Sequence, residues 1–398
     1  MSIRNSIQDM HEEITAYRRT MHENPQTAYE ETFASDLVAE KLTEWGIPFE
    51  REIAVTGIVA TIEGQQNDSG QSIGLRADMD ALDIVEEHNK DWVSKTPGKM
   101  HGCGHDGHTA MLLGAAKYLS ENKNFNGKVH LIFQPAEEGY GGAHKMIEEK
   151  LFERFPCDQV YGLHNWPKLP RGKIAMRPGP IMAAADRFDI SITGIGGHAA
   201  SPHKANDPII VGTKLVTALQ TLVSRTADPL DSIVISITNF NAGTGAFNVI
   251  PETAELSGTL RTFDPDTRAY MIKRITEMAE KAADLFGARA KCIFMEGGYD
   301  PTVNTHDETQ ISVQVAREIV GDEHVDDNVA PVMGAEDFGA MLQERPGCYI
   351  FIGQAEENPQ SNHNHMVHTP QYDFNDDIIP LGIEYWVKLV ETSLPLKK

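Results

Sequence analysis

The chain has 398 residues, more than a single hydrophobic core usually supports, so we expect two domains. Its 58 acidic and 35 basic side chains give a net charge of −23, which argues against nucleic acid or an anionic membrane as partner and favours a small molecule or a peptide. No apolar run reaches the ~20 residues that span a bilayer, and the start of the chain is a polar helical pattern rather than a secretory signal. We therefore expect a cytoplasmic protein, whose four cysteines are not a disulfide framework.

The first half of the chain alternates helical and extended patterns, which is typical of an α/β fold. In chain order, the patterns predict a helix near residues 6–22, strands at 57–62 and 73–77, a helix after Asp106, a strand at 129–133, a helix from about residue 142 and a strand at 159–163.

The alternation of helical and extended patterns gives way to a different arrangement from about Arg187 and resumes after residue 297. The intervening segment predicts strands at 188–193, 232–239, 255–262 and 290–294, with helices near 207–226 and 266–286. Helices near 308–319 and 376–395, a short helix after Gly334 and a strand at 348–353 follow it. We therefore expect an α/β domain formed by residues 1–185 and 298–398, with an α+β domain, residues 186–297, inserted into it.

The densest chemical signal is the segment His101–His108, with the sequence HGCGHDGH. Cys103 and His105 are two residues apart, so on extended backbone they lie on the same side and can ligate one metal site. The glycines leave room for the backbone to wrap a small ion. Taken alone, the segment is also compatible with a glycine-rich turn whose histidines cap the next helix.

Adjacent carboxylates follow the predicted strand 129–133. Glu137 and Glu138 lie where open α/β sheets carry their sites, and on extended backbone they point in different directions. One can bind metal while the other faces the water as general base, although a solvated acidic turn is the alternative.

Two further strand ends carry the same kind of side chain. The strand at 159–163 is followed by His164, and the strand at 73–77 by Asp78. A lone strand-end histidine is usually structural, but three such strand ends indicate a metal site. His368 belongs to a later histidine cluster, for which a surface patch is the alternative. Thiolate, imidazole and carboxylate ligands together suit zinc, manganese, nickel and cobalt, so the metal stays open.

Five short segments resemble one family, in order and at its spacing: residues 75–80, 101–108, 134–139, 162–164 and 368–370. The chain is similar, over almost its whole length, to the amidohydrolase branch of the aminoacylase-like dinuclear metallopeptidases, which includes hippurate hydrolases, N-acyl-amino-acid amidohydrolases and auxin-conjugate hydrolases. This resemblance implies a metallopeptidase-type α/β catalytic domain and an inserted, ferredoxin-like lid and dimerisation domain. Asp83 and Gly102 depart from the usual proline and alanine, which leaves the acyl preference open.

The resemblance also implies roles for particular residues. Two divalent metal ions would be ligated by Cys103, His105, Glu138, His164 and His368. Glu137 would be the general base, and Asp78 would orient a ligand histidine. In the inserted domain, His198 would stabilise the oxyanion in the partner subunit of a homodimer. Asn248, Arg261 and Glu336 would face the substrate. Arg261 would bind the free carboxylate of the substrate's amino acid.

The implied reaction is hydrolysis of an N-acyl amino acid, such as an N-acetyl or N-benzoyl derivative, to a carboxylic acid and a free amino acid. The alternatives are a dipeptidase or aminopeptidase of the same superfamily, a non-catalytic protein that binds small peptides or metals, and a thiol enzyme with Cys103 as nucleophile.

Overall fold

The computed structural model describes residues 3–295 and 297–397, which form two compact units. The first unit runs to Ile181 and also contains Val303–Ala330 and the chain from Asp337 onward. The second unit consists of Met182–Thr302 and Pro331–Glu336. No helix in the described part of the chain combines the length and the apolar character that crossing a membrane requires.

The helices and strands are numbered in chain order. The α-helices are α1 (Ile3–Asp9), α2 (His11–Glu23), α3 (Thr32–Glu44), α4 (His105–Glu121), α5 (Glu137–Tyr140), α6 (Gly142–Glu148), α7 (Leu151–Arg154), α8 (Pro208–Thr221), α9 (Pro265–Leu285), α10 (His306–Val320), α11 (Phe338–Glu344) and α12 (Ile379–Ser393). The strands are β1 (Phe49–Ile53), β2 (Gly57–Glu63), β3 (Ser72–Asp78), β4 (Lys128–Gln134), β5 (Gln159–Pro170), β6 (Ile174–Ala175), β7 (Gly179–Met182), β8 (Ala184–Thr193), β9 (Gly197–His198), β10 (Val234–Ala242), β11 (Val249–Ile250), β12 (Thr253–Thr262), β13 (Arg289–Phe294), β14 (Thr302–Asn304), β15 (Val325–Asp326) and β16 (Gly347–Ala355).

The first unit is built on a mixed sheet with the strand order β1-β2-β4-β3-β5-β16-β6-β15. Its central strands β4, β3, β5 and β16 are parallel to one another. β3 and β4 are buried along almost their whole length, as expected where helices cover both faces of a parallel sheet. α4 packs against α2 and α12, and their apolar faces join those of the strands in one core. The predicted α/β class is confirmed.

The second unit contains an antiparallel sheet with the order β10-β12-β8-β13. Burial alternates along β8 and β12, so one face of the sheet is covered and the other is not. α8 and α9 pack together and against this sheet, and their apolar side chains form a core with Ile190, Leu256 and Leu260.

Several local features differ from the sequence prediction. The helix expected near residues 6–22 is two helices that meet at Met10. The predicted helix near 207–226 ends as an α-helix at Thr221 and continues as a π-helical turn, Leu222–Thr226. α3 and β1 were not predicted. α3 was missed because several of its buried positions are small residues that give little apolar periodicity, and β1 because only one of its residues is fully buried.

Candidate metal centre

The chemically active side chains meet at one edge of the first unit's sheet. β4, β3 and β5 are neighbouring parallel strands, so their carboxyl ends lie side by side. β3 ends at Asp78, β4 leads into Glu137 and Glu138, and β5 carries His164. The three strand ends singled out in the sequence therefore lie together.

A tight turn before α4 brings Cys103 and His105 to the same edge. Gly104 has a φ of +96°, and a Cβ atom there would lie 2.3 Å from the side-chain oxygen of Asn165, so only glycine fits. Cys103 Sγ lies 3.3 Å from His164 Nε2. His164 Nδ1 donates to the carbonyl oxygen of Asn165 at 2.7 Å, which fixes the tautomer and leaves the Nε2 lone pair facing Cys103.

His105 presents one ring nitrogen to the same space. Its Nδ1 donates to Asp80 Oδ1 at 3.1 Å. Its Nε2 is buried and makes no hydrogen bond, although Asp78 Oδ2 lies 3.7 Å away and Glu137 Oε2 lies 4.0 Å away. Burial disfavours the imidazolium, yet the Asp78 and Asp80 carboxylates raise the pKa of His105 to about 10. A buried imidazole nitrogen surrounded by carboxylates is what a cation site offers.

The paired glutamates occupy a left-handed turn. Ala136 has a φ of +55° and Gly139 a φ of +83°, so the chain reverses sharply around Glu137 and Glu138. Glu138 Oε1 lies 3.0 Å from His368 Nε2. His368 itself has a φ of +65°, and its N–H donates to the carbonyl oxygen of Gly102 at 2.8 Å. The carboxyl-terminal histidine is thereby tied to the turn that carries Cys103.

The electrostatics of this cluster fit divalent cations. Burial raises the pKa of the Cys103 thiol well above its ordinary value, and the Glu138, Glu137 and Asp78 carboxylates raise it further. Burial and the neighbouring His108 hold the pKa of His164 well below its ordinary value, so His164 is a neutral imidazole suited to metal ligation. The raised thiol pKa also disfavours Cys103 as a free nucleophile, because a thiolate here needs a compensating positive charge.

Subsets of these side chains place their ligand atoms within 4.8 Å of one another. Cys103 groups with His105 and His164, and also with Glu138 and His368. His105 groups with Glu137 and Glu138. All five predicted ligands and the predicted base therefore lie in one connected cluster of the first unit.

Asp78 and Asp80 divide the orienting contacts differently from the sequence-based expectation. Asp78 Oδ1 accepts from His108 Nδ1 at 2.6 Å, and Asp78 Oδ2 accepts from Arg76 at 2.8 Å. The carboxylate that accepts from Nδ1 of the ligand histidine His105 is instead that of Asp80. Asp80 also accepts from the N–H of Glu138 at 2.8 Å. Asp80 was missed as a site residue, although its spacing of two from Asp78 on extended backbone was a usable signal.

The remaining predicted site residues belong to the second unit. His198 is exposed in β9, where its Nδ1 accepts from the N–H of Ala200 at 3.0 Å, and Asn248 is also exposed. Arg261 lies in β12, where burial lowers the pKa of its guanidinium while Asp186 opposes that change. Glu336 is almost fully buried. Their roles toward the substrate stay predictions.

Comparison with known proteins agrees with the chemistry of this cluster. The sequence model of peptidase family M20/M25/M40 matches residues 74–392. The chain is 39% identical to hippurate hydrolase of Campylobacter jejuni, over 98% of each chain. It is 38% identical to thermostable carboxypeptidase 2 of Saccharolobus solfataricus, over 96% of this chain and 95% of that protein. A solved structure from Bacillus subtilis, described as a dinuclear metal binding peptidase from the M20 family, superposes with a TM-score of 0.83 at 30% identity, over 97% of this chain and 99% of that one.

Proposed function

Because the chain belongs to peptidase family M20/M25/M40 and is an amide hydrolase, we propose that it cleaves N-acyl amino acids into a carboxylic acid and a free amino acid. The observation that carries the proposal is the convergence of five ligand-type side chains with Glu137 at one sheet edge. The name of the Campylobacter jejuni relative supports an aromatic N-acyl glycine as one substrate of this class.

Two divalent cations would be held by Cys103, His105, Glu138, His164 and His368. When bound, they would polarise the scissile carbonyl group and make water more acidic. The orphaned Nε2 of His105 and the excess of buried carboxylates support this assignment. The donor set leaves zinc, manganese, nickel and cobalt open.

Glu137 is the proposed general base. Its carboxylate is buried and lies 4.0 Å from His105 Nε2, so it faces the space that the ligands surround. Glu137 accepts a proton as the water oxygen bonds to the carbonyl carbon, and then donates it to the nitrogen as the C–N bond breaks. Asp80 supports two of the proposed ligands beside this step, because it accepts from the ring of His105 and from the peptide N–H of Glu138.

The proposal extends to the second unit. Arg261 offers a planar guanidinium for the free carboxylate that every N-acyl amino acid carries. Asn248 and Glu336 would contact the substrate, and His198 would stabilise the oxyanion from the partner subunit of a homodimer. A homodimer and a cytoplasmic location are part of this proposal, and light scattering tests the first.

The decisive experiment compares two neighbouring glutamates. Glu137→Gln should lower kcat at least 100-fold while metal content stays at the wild-type level, because the base is lost and the ligands remain. Glu138→Gln should lower metal content together with activity. Metal analysis and hippurate hydrolysis are measured on the same samples. Turnover retained by Glu137→Gln, or activity insensitive to chelators, would contradict the proposal.

The similarity to a carboxypeptidase favours one second function, release of a carboxyl-terminal residue from a peptide. Both reactions leave an amino acid with a free carboxylate, so they differ only in what precedes the amide bond. Initial rates with N-benzoyl, N-acetyl and unblocked aminoacyl derivatives of one amino acid distinguish them. A preference for the unblocked peptide would favour the peptidase.

A further inference from the structure

Glu31 is a buried carboxylate that the mechanism above does not use. It follows α2, directly precedes α3, and is only 1% exposed. A carboxylate is rarely buried to this extent unless several donors satisfy its oxygens. The partners of Glu31 therefore indicate what it holds in place.

One of those partners is the turn that carries Glu137. Glu31 Oε1 accepts from the N–H of Ala136 at 2.9 Å and from the N–H of Tyr29 at 2.9 Å. Its Oε2 accepts from the hydroxyl of Thr56 at 2.6 Å. The carboxylate thus joins the segment before α3 and the loop before β2 to the residue that precedes the proposed base.

Ala136 needs such a contact because of its backbone. Its φ of +55° lies in the left-handed region, which costs a residue with a Cβ atom roughly 1–2 kcal/mol. The carbonyl oxygen of Ala136 accepts from the N–H of Gly142 at 2.9 Å, so both polar groups of this residue are bonded. The left-handed conformation directs the chain, and with it the Glu137 side chain, toward the metal ligands.

Glu137 consequently lies between two peptide groups that carboxylates hold. Glu31 binds the N–H of Ala136 on one side, and Asp80 binds the N–H of Glu138 on the other. Charge-assisted hydrogen bonds of this kind are stronger than neutral ones. Asp80 also contacts a metal-ligand histidine, whereas the described partners of Glu31 are not ligands.

We propose that Glu31 is a positioning residue for catalysis, which holds Ala136 in its left-handed conformation so that Glu137 faces the reacting water. The inference rests on the proposed role of Glu137 and goes beyond it, since the described hydrogen-bond partners of Glu31 are not the proposed metal ligands. A catalytic group misplaced by about 1 Å can cost about 100-fold in rate. Glu31 therefore acts on kcat rather than on KM or on metal affinity.

The test replaces Glu31 by a side chain of similar size without an acceptor, Glu31→Met. We expect kcat to fall about 10-fold to 100-fold, with KM within twofold of wild type and metal content unchanged. Glu31→Gln should restore most of the activity, because an amide oxygen can still accept both N–H groups while the amide nitrogen donates to Thr56. If Glu31→Met does not fold, Glu31→Asp takes its place, since the shorter carboxylate withdraws from Ala136.

The chain offers a matched control in Glu149. Its Oε2 accepts at 2.8 Å from the N–H of Ala54, another buried alanine in the left-handed region, with a φ of +53°. Glu149→Met should therefore lower the thermal midpoint and leave kcat unchanged. If Glu31→Met behaves like Glu149→Met, with kcat per folded molecule at the wild-type value, Glu31 is only structural and the inference fails. Full activity of Glu137→Gln in the same series would instead contradict the proposed function.

Discussion

The two compact units of the chain bury charge in different ways. In the first unit, Arg76, Asp78, Asp80 and Asp337 are at most 1% exposed, and Asp80 contacts the metal-type ligand His105. In the second unit, the buried charged side chains among the described residues are Asp186 and Glu336, and the core is otherwise uncharged. The first unit keeps its charges where water does not screen them, which suits catalysis but makes each charge depend on its partners.

The largest expected effect comes from breaking the buried network of the first unit. Arg76 donates to Asp78 and to Asp337 at 2.8 and 3.0 Å, and all three side chains are fully buried. Arg76→Met leaves both carboxylates without their cation and should lower the free energy of unfolding by about 3–5 kcal/mol. Urea denaturation followed by fluorescence measures this change.

The second unit supplies the matched substitution. Arg268 donates to Asp186 and Asp300, but about a fifth of its side chain remains exposed. Arg268→Met should therefore cost less, about 1–2 kcal/mol. If the two substitutions lower the free energy of unfolding equally, the two units do not differ in how strongly their buried charges depend on their partners.

A second prediction concerns Asp80, whose two oxygens serve two donors. Asp80→Asn places an amide NH₂ opposite either the His105 Nδ1–H or the Glu138 N–H, so one donor loses its acceptor. We expect metal affinity to fall about 10-fold to 100-fold, as for other groups that orient ligands. Equilibrium dialysis against a metal buffer measures it.

Asp158 provides the control for this substitution. It is exposed and accepts from the N–H of Ser72 at 2.8 Å, outside the cluster of ligands. Asp158→Asn should leave metal affinity unchanged. An equal change of metal affinity in both variants would show that Asp80 does not support the metal site.

The sequence singled out the candidate ligands, which the structure brings together, but not the contacts that support them. The family inferred from five short segments is confirmed by the match of the M20/M25/M40 model, and the three strand ends meet because parallel neighbours end at one edge. The supporting contacts come from remote parts of the chain: Asp337 accepts from Gln134 across 203 residues, and Glu31 reaches Ala136 across 105. The left-handed conformation of Ala136 has no sequence signature, because alanine does not mark such positions as glycine does.

A third prediction concerns a buried histidine of the first unit that lies away from the metal ligands. His130 lies in β4, near the strand end opposite to the metal ligands, and is 5% exposed. Burial lowers its pKa to about 4, outweighing a hydrogen bond to the backbone of Pro156, and the nearby Lys128 ammonium lowers it further. The unfolded chain therefore binds a proton between pH 6.5 and 4 that the folded protein does not, so stability falls as the pH is lowered through this range.

The expected size of this effect is about 2 kcal/mol between pH 7 and pH 5, at roughly 1.4 kcal/mol for each pH unit below the ordinary histidine pKa. The variant His130→Gln, which cannot titrate, should lose this part of the pH dependence. The free energy of unfolding of both proteins is compared at pH 5 and at pH 8, where histidine is neutral in both states. Identical pH dependence in the two proteins would show that His130 is not the group responsible.

The smallest expected effect comes from a substitution in the second unit, which tests whether this unit contributes to recognition of the substrate. Arg261→Lys replaces a two-pronged guanidinium by a single ammonium group, so KM for an N-acyl amino acid should rise about tenfold with little change in kcat. The same substitution should not alter the rate for a substrate whose carboxylate is converted to an amide, because the proposed partner of Arg261 is then absent. Arg187→Lys, in the neighbouring strand β8, is the control, since Arg187 is exposed and pairs with Asp189. If Arg261→Lys affects both substrates equally, Arg261 is an ordinary strand-surface charge, and carboxylate recognition must be sought elsewhere in the chain.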